Sequence, residues 1–368
     1  MIFILAEELA AVQEWNLHDV SSIDRLAHSA FEGSHIVAIE SPQVAQALLS
    51  AKDGTFGAVT TAVLKKILAN FTFQGGLLSH GLICATVTTV PSAAVVAKRA
   101  DRVLTLDDIR GMSLEPTTIL AENVTDAKVY EIAAKHFIAN ERLRGLCVAA
   151  CVRGGGGSEI YPELQEIVAQ ARQVCLALTD SDARWPDCGQ SNTARKCEQL
   201  IRDAQIPTGH SGIPVRELEN LIPTKILLEI VDGNDILDSV KKLERLIGLV
   251  PEVRCCGDLK DGVNGVRVFQ LREGSPERTF LSFLLAQNHP GQNCCEQSSD
   301  CVKERNGAEC SCVAIPKVGN VASRFHDWLV NRSSHKALES FCPPWRDAWL
   351  SVGATTFAWC CAQPRIRG

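Results

Sequence analysis

The chain reads as an α/β protein with a Rossmann-like parallel sheet at its centre, and three observations predict it. Between residues 117 and 180 short apolar runs alternate with amphipathic stretches in the order strand, helix, strand, helix, strand, the pattern of parallel strands joined by crossover helices. A looser alternation of the same kind runs through residues 1–110. Acidic residues follow directly on two of the apolar runs, and open parallel sheets carry their chemistry at the carboxyl ends of their strands.

Each element has its own local reason. "LAEELAAVQEW" (5–15) has helical spacing and "HIVAIE" (35–40) is strand-like. Ser41 and Pro42 then supply an N-cap and a first-turn proline for a helix over "QVAQALLSA",. "GTFGAVTTAVLKKILANF" (54–71) predicts an amphipathic helix with Lys65 and Lys66 on its wet face,. "IRGMSLEPT" (109–117) reads as a linker. Beyond it come a strand "TTILAE", a helix "VTDAKVYEIAAKHFIA", a strand "LCVAACV", a glycine turn at 154–157, a helix "YPELQEIVAQARQ" and a strand "VCLALTD". "DILDSVKKLERLIGLV" (235–250) predicts a core-packing helix, and Trp345, Trp349 and Trp359 read as core residues,.

With 368 residues, 46% of them hydrophobic, the chain can bury more than one core,. Three domains are expected: an N-terminal α/β domain over 1–110, a central domain over 117–265, and an extension over 266–368 with a cysteine-rich insertion at 290–312. No run approaches the roughly 18 apolar residues of a membrane span. The first residues meet Glu7 and Glu8 without a basic leader, so a cytoplasmic location and no membrane association are expected. The 16 cysteines stand as singles and adjacent pairs rather than in an exported framework, which predicts reduced thiols,. A net charge of −6 argues against a surface that coats nucleic acid broadly and leaves room for a local basic groove,.

"LTDSD" places Asp180 and Asp182 at the end of a buried run. Two carboxylates held close repel unless a counter-charge sits between them, and a divalent cation bound by hard oxygen ligands is the common answer. Glu122 closes the first strand of the same sheet. Asp126 follows it by four residues, one helical turn on, where it serves either the same metal or the positive end of the helix.

An acidic residue closing one strand ("ILAENVTD"), a glycine-rich turn ("VRGGGGS") and an Asp-x-Asp closing a later strand ("LTDSD") resemble the Toprim domain. Asn123 stands where that family has glycine, and asparagine tolerates the left-handed turn such a glycine would make. "IPVRELENLIP" (213–223) and "GDLKDGV" (257–263) resemble the later R-x-x-E-N and D-x-K-x-G elements of the OLD-like branch, and in particular the Toprim effectors of PARIS-type anti-phage systems. The resemblance spans about 117–265. It implies a Toprim fold and a Mg²⁺- or Mn²⁺-dependent nuclease cutting DNA or RNA, tRNA included, as a phage-defence effector with an ABC-type ATPase partner. On that resemblance Glu122, Asp180, Asp182 and Lys260 are the catalytic candidates. Glu122, Asp126, Asp180, Asp182, Glu217 and Glu219 are the candidate metal ligands.

Each of these has a plainer reading: Glu122 as a capping acid, Glu217 and Glu219 as a charged helix start, Lys260 as a turn lysine and Arg153 as a solvated arginine. The glycine run lacks the lysine and hydroxyl order of a phosphate-binding loop, so nucleotide hydrolysis is not expected of this chain. Cys295, Cys301, Cys310 and Cys312 offer four thiolates for a structural Zn²⁺, without the paired C-x-x-C spacing that marks such sites. The alternative to a nuclease is a catalytically inactive Toprim-fold subunit that binds or regulates a partner. A strand-passing topoisomerase fits poorly, since Tyr130 and Tyr161 both fall on helices of the sheet domain.

Overall fold

A computed structural model describes residues 1–52, 54–77, 81–89, 102–156, 160–202, 204–289 and 312–366. Cys295, Cys301 and Cys310 lie outside the described residues, so the zinc expectation rests there. The chain forms two compact units, one of residues 1–178, 196–211 and 352–368, the other of residues 179–195 and 212–351. This partition differs from the three consecutive stretches read from sequence, because two sheets share the first unit and a late segment returns to it.

The first sheet contains β1 (Ile2–Leu5), β2 (Ile36–Ile39), β3 (Cys84–Thr88) and β4 (Arg102–Thr105), parallel and in the order β2-β1-β3-β4. β1 was not expected. Its four residues are all buried, as a central strand covered on both faces requires, and the expected helix over 5–15 is reduced to a 3₁₀ turn at Glu7–Ala11. Helices α1 (Leu17–Glu32), α2 (Pro42–Leu49), α3 (Ala58–Ala69) and α4 (Phe71–Leu77) connect these strands. Asn16 caps α1 by accepting from the N–H groups of His18 and Asp19, and α2 starts on Ser41 and Pro42 as expected.

After α5 (Leu106–Gly111) the second sheet begins with β5 (Ser113–Ala121). Residues 109–117 are therefore a helix end and a strand start, not a linker. Pro116 lies where the pairing of β5 shifts register, between Ser113 and Thr118, as expected of a residue with no N–H to give a ladder. α6 (Val124–Glu141), β6 (Cys147–Val148), β7 (Ala150–Gly154), α7 (Ile160–Gln170), β8 (Gln173–Thr179), α8 (Asn192–Ile201) and β9 (Thr208–Gly212) follow. β7 and β8 flank β5 and run parallel to it, in the order β7-β5-β8-β9. Numbered by first appearance, both four-stranded sheets have the order 2-1-3-4, so the chain is α/β with parallel, Rossmann-like sheets.

Both ends of the described chain close the first unit. The Met1 amino group donates to the Cys361 carbonyl at 3.0 Å. The Thr117 hydroxyl donates to the Trp359 carbonyl at 2.8 Å. Phe357 and Cys361 join Ile2, Ile4, Ile36 and Ala134 in one apolar cluster.

The second unit carries α9 (Thr224–Ile230), α10 (Asn234–Leu249), α11 (Val253–Cys256), α12 (Gly265–Gln270) and α13 (Pro276–Asn288). A two-stranded ribbon pairs β10 (Val263–Asn264) with β11 (Val313–Ile315), antiparallel. Val240, Leu243 and Leu246 bury the inner face of α10. Phe325, Phe341 and Trp349 pack ring on ring, with centroids 5.2–6.4 Å apart, so Trp345 and Trp349 are buried as core residues. No helix among the described residues is long and apolar enough to cross a membrane.

One buried base on α6 ties this fold to pH. His136 is 2% exposed, and burial lowers its pKa from 6.5 to about 4. The folded form then holds fewer protons than the unfolded chain between those values, so stability is lost as pH falls through that window. The expected loss attributable to His136 is on the order of 3 kcal/mol between neutrality and pH 4. Urea midpoints from pH 7 to pH 4 should fall less steeply for His136→Gln than for the wild type. His35, also buried and lowered, keeps a residual slope of the same sign.

Candidate catalytic site

The acidic residues expected at strand ends stand there. β5 ends at Ala121 and β8 at Thr179, and Ala121 is in register with Leu178. Chain connectivity thus puts Glu122 one residue beyond that registered pair and Asp180 two residues beyond it. Glu122 is half-buried. Cys197, on α8, lies within its field: burial first, and the Glu122 charge second, push that thiol up to about 11.

Asn123 is the N-cap of α6 at φ −127°, ψ 153°, an extended conformation open to any residue,. The left-handed turn expected at this position does not occur, so glycine is not required there. The Asn123 side-chain N–H donates to Asp126 Oδ2 at 3.2 Å. Asp126 is 8% exposed, in the first turn of α6, and is thus a buried residue rather than a solvent-facing helix acid.

Of the glycine run, Gly157 lies outside the described residues, and Gly154 and Gly155 have a packing role. A Cβ on Gly154 would stand 2.7 Å from the Val124 backbone nitrogen, and one on Gly155 2.5 Å from Ile160 Cα. Glycine at these positions lets the end of β7 touch the starts of α6 and α7. Arg153 pairs with Glu163.

In the second unit, the residues after β8 are tied to the segment that opens the R-E-L-E-N element. The Thr179 carbonyl accepts from the Ile213 N–H at 2.9 Å, and the Asp182 N–H donates to the Arg216 carbonyl at 3.1 Å. The Ser181 hydroxyl donates to the Val215 carbonyl at 2.7 Å. Asp182 is exposed and takes a left-handed φ of 51°, a strained conformation for a residue with a Cβ and one that aspartate tolerates better than most.

The R-x-x-E-N and D-x-K-x-G segments interlock. Arg216 Nη2 and Arg267 Nη1 each donate to Asp258 Oδ2 at 3.0 Å, and Asp258 Oδ1 accepts the Asp261 N–H at 3.0 Å. Glu217 Oε1 accepts the N–H groups of Leu259 at 3.0 Å and Lys260 at 3.1 Å. Asn220 holds both segments, donating to the Gly257 carbonyl at 3.0 Å and accepting the Glu217 N–H at 3.2 Å. Burial pushes the Glu217 carboxyl above its ordinary value, while the Lys260 backbone bond and the Arg216 and Lys260 charges pull it down,.

Glu217 therefore spends one oxygen on the backbone that presents Lys260. Glu219 is 5% exposed within a 3₁₀ turn, Leu218–Leu221. Lys260 is half-buried. Sequence reasoning missed Arg216, Asn220, Asp258 and Arg267 as the residues that build this cluster. The signal was present: an arginine and an asparagine in one short motif, an aspartate in the other, complementary in charge and hydrogen bonding.

Among the described residues no three His, Cys, Asp or Glu side chains form a group that could hold a metal ion. The twelve cysteines among the described residues are free thiols. Compared with family models, curated proteins and solved structures, the chain has no significant match in any of the three.

Proposed function

We propose that the chain is a metal-dependent nuclease of the Toprim type, hydrolysing phosphodiester bonds of DNA or RNA as an effector of phage defence controlled by an ABC-type ATPase. The observation that carries the reading is the placement of Glu122 and Asp180 directly after the adjacent strands β5 and β8 of a parallel 2-1-3-4 sheet. That is the edge where such sheets present their chemistry.

The candidate donors suit a hard cation by their chemistry, although no three of them stand together as a metal-holding group in the structure. Glu122, Asp180 and Asp182 offer oxygen alone, which favours Mg²⁺ or Mn²⁺ over softer metals. When bound, such an ion supplies charge neutralisation for the phosphoryl oxygens and an activated water. In this reading Asp180 and Asp182 hold it, and Glu122 ligates it or moves the proton of the attacking water. Lys260 presents a cation for the leaving oxygen, oriented by the grip of Glu217 on its backbone N–H.

The test is incubation of the purified chain with tRNA, plasmid and linear DNA, each with Mg²⁺, with Mn²⁺ and with EDTA. Cleavage of at least one substrate, dependent on metal and stopped by EDTA, is the expected outcome. Failure on all three with both metals would overturn the reading in favour of a regulatory subunit.

A further inference from the structure

The second unit holds a groove of about 510 Å³ whose walls include α10, the start of α12, the β10–β11 ribbon and the Asp261–Gly262 turn of the D-x-K-x-G element. A smaller hollow of about 150 Å³ shares Lys242, Val313 and Pro316 with it. Among the described residues they are lined together by four permanent cations, Lys242, Arg245, Arg267 and Lys317, against one carboxylate, Asp261. This is a concentration of positive charge in a chain whose net charge is −6.

The cations are placed by the fold. Lys242 and Arg245 are exposed and stand one turn apart on α10, while Val240, Leu243 and Leu246 anchor the opposite face. Lys317 follows β11 and is held against the D-x-K-x-G element: the Val318 N–H donates to the Leu259 carbonyl at 2.7 Å. Gly262, at φ +69°, makes the approach possible, since a Cβ there would lie 2.9 Å from both the backbone nitrogen and Cβ of Lys317. Among the described residues the side chains of Lys242, Arg245 and Lys317 take part in no ion pair or hydrogen bond. Arg267 is 42% exposed and shares its charge with Asp258. Three cations are thus unneutralised along an open groove with Val313 and Pro316 in its lining.

We propose that this groove binds the phosphate backbone of a nucleic acid, with Lys242, Arg245 and Lys317 each neutralising a phosphate and the apolar floor taking sugar or base surface. Unpaired cations spaced along an open track match a polyanion chain better than a single small anion. The groove also runs to the turn that carries Lys260, so it would deliver the strand to the element named above. The inference deepens the nuclease reading and rests on it for the fate of the bound strand, though not for the binding itself.

Binding is measured in EDTA, where no cleavage can occur, by fluorescence anisotropy of a labelled duplex DNA and a labelled single-stranded RNA across a salt series. The full-length wild type should bind at least one probe. K242Q/R245Q/K317Q should bind about tenfold or more weakly, with a salt slope reduced by about 2–3, since each phosphate contact contributes about 0.7–0.9 to that slope. The charge-conserving K242R/R245K/K317R should retain binding, which separates lost charge from a disturbed fold. Wild-type binding by a folded triple-glutamine variant, or no binding of either probe by the wild type, would overturn the groove proposal. So would displacement of the probe by ATP at equal phosphate concentration, which would make the groove a mononucleotide site. Binding lost in the triple-glutamine variant with no cleavage under any metal would support the groove and sink the nuclease reading, so the two failures are distinguishable.

Discussion

Replacing Asp180 by alanine, or Glu122 by alanine, is expected to abolish metal-dependent cleavage. Taking away a metal ligand removes several kcal/mol of transition-state charge stabilisation, a rate loss on the order of a thousandfold or more. Single-turnover rates check it. A second readout is the rise in melting temperature on Mg²⁺ addition, which by binding linkage should be large in the wild type and small in Asp180→Ala/Asp182→Ala if the proposed site holds the ion. Cleavage at the wild-type rate by Glu122→Ala would end the assignment of this edge as the active site.

Asp258→Ala should strongly destabilise the second unit. The Asp258 side chain is 6% exposed and Arg216, 14% exposed, donates to it at 3.0 Å. Removing one member of a buried pair strands the other's charge away from water, a loss of about 3–5 kcal/mol. Arg267 adds little, being 42% exposed,. The same substitution also frees the Asp261 N–H from Oδ1, loosening the turn after Lys260. Urea unfolding followed by tryptophan fluorescence measures the effect, and a loss under about 1 kcal/mol would show that the interlock is not what holds the two segments together.

The legible parts of the sequence were those with local causes. The alternation over 117–180 produced a parallel sheet because each strand is a short apolar run and each helix keeps its own period. The strand-end position of Glu122 and Asp180 followed from those runs alone. β1 escaped notice because four apolar residues before Glu7 fit a strand or a helix start equally, and periodicity cannot separate the two over so short a run. Residues 109–117 looked like a linker because Gly111 and Pro116 are breakers; the proline is instead absorbed where β5 shifts register. A glycine at the family position of Asn123 implies a left-handed turn, while the N-cap of α6 is extended. The grip of Glu217 and Asn220 on the D-x-K-x-G segment spans some forty residues of chain, and separation of that order leaves no periodic trace.

The return of residues 352–366 to the first unit fixes an order of biosynthesis. Strands β1 to β8 leave the ribosome early, yet the segment carrying Phe357, Trp359 and Cys361, which completes their core, emerges only after the whole of residues 212–351. Domains emerging in sequence fold as they are completed, so the early sheets must wait, partly uncovered, while the inserted unit is made. Glu122 therefore stays on an unfinished scaffold for most of translation. A chain interrupted between residues 261 and 351 would carry every catalytic candidate, on a first unit that lacks its closing segment.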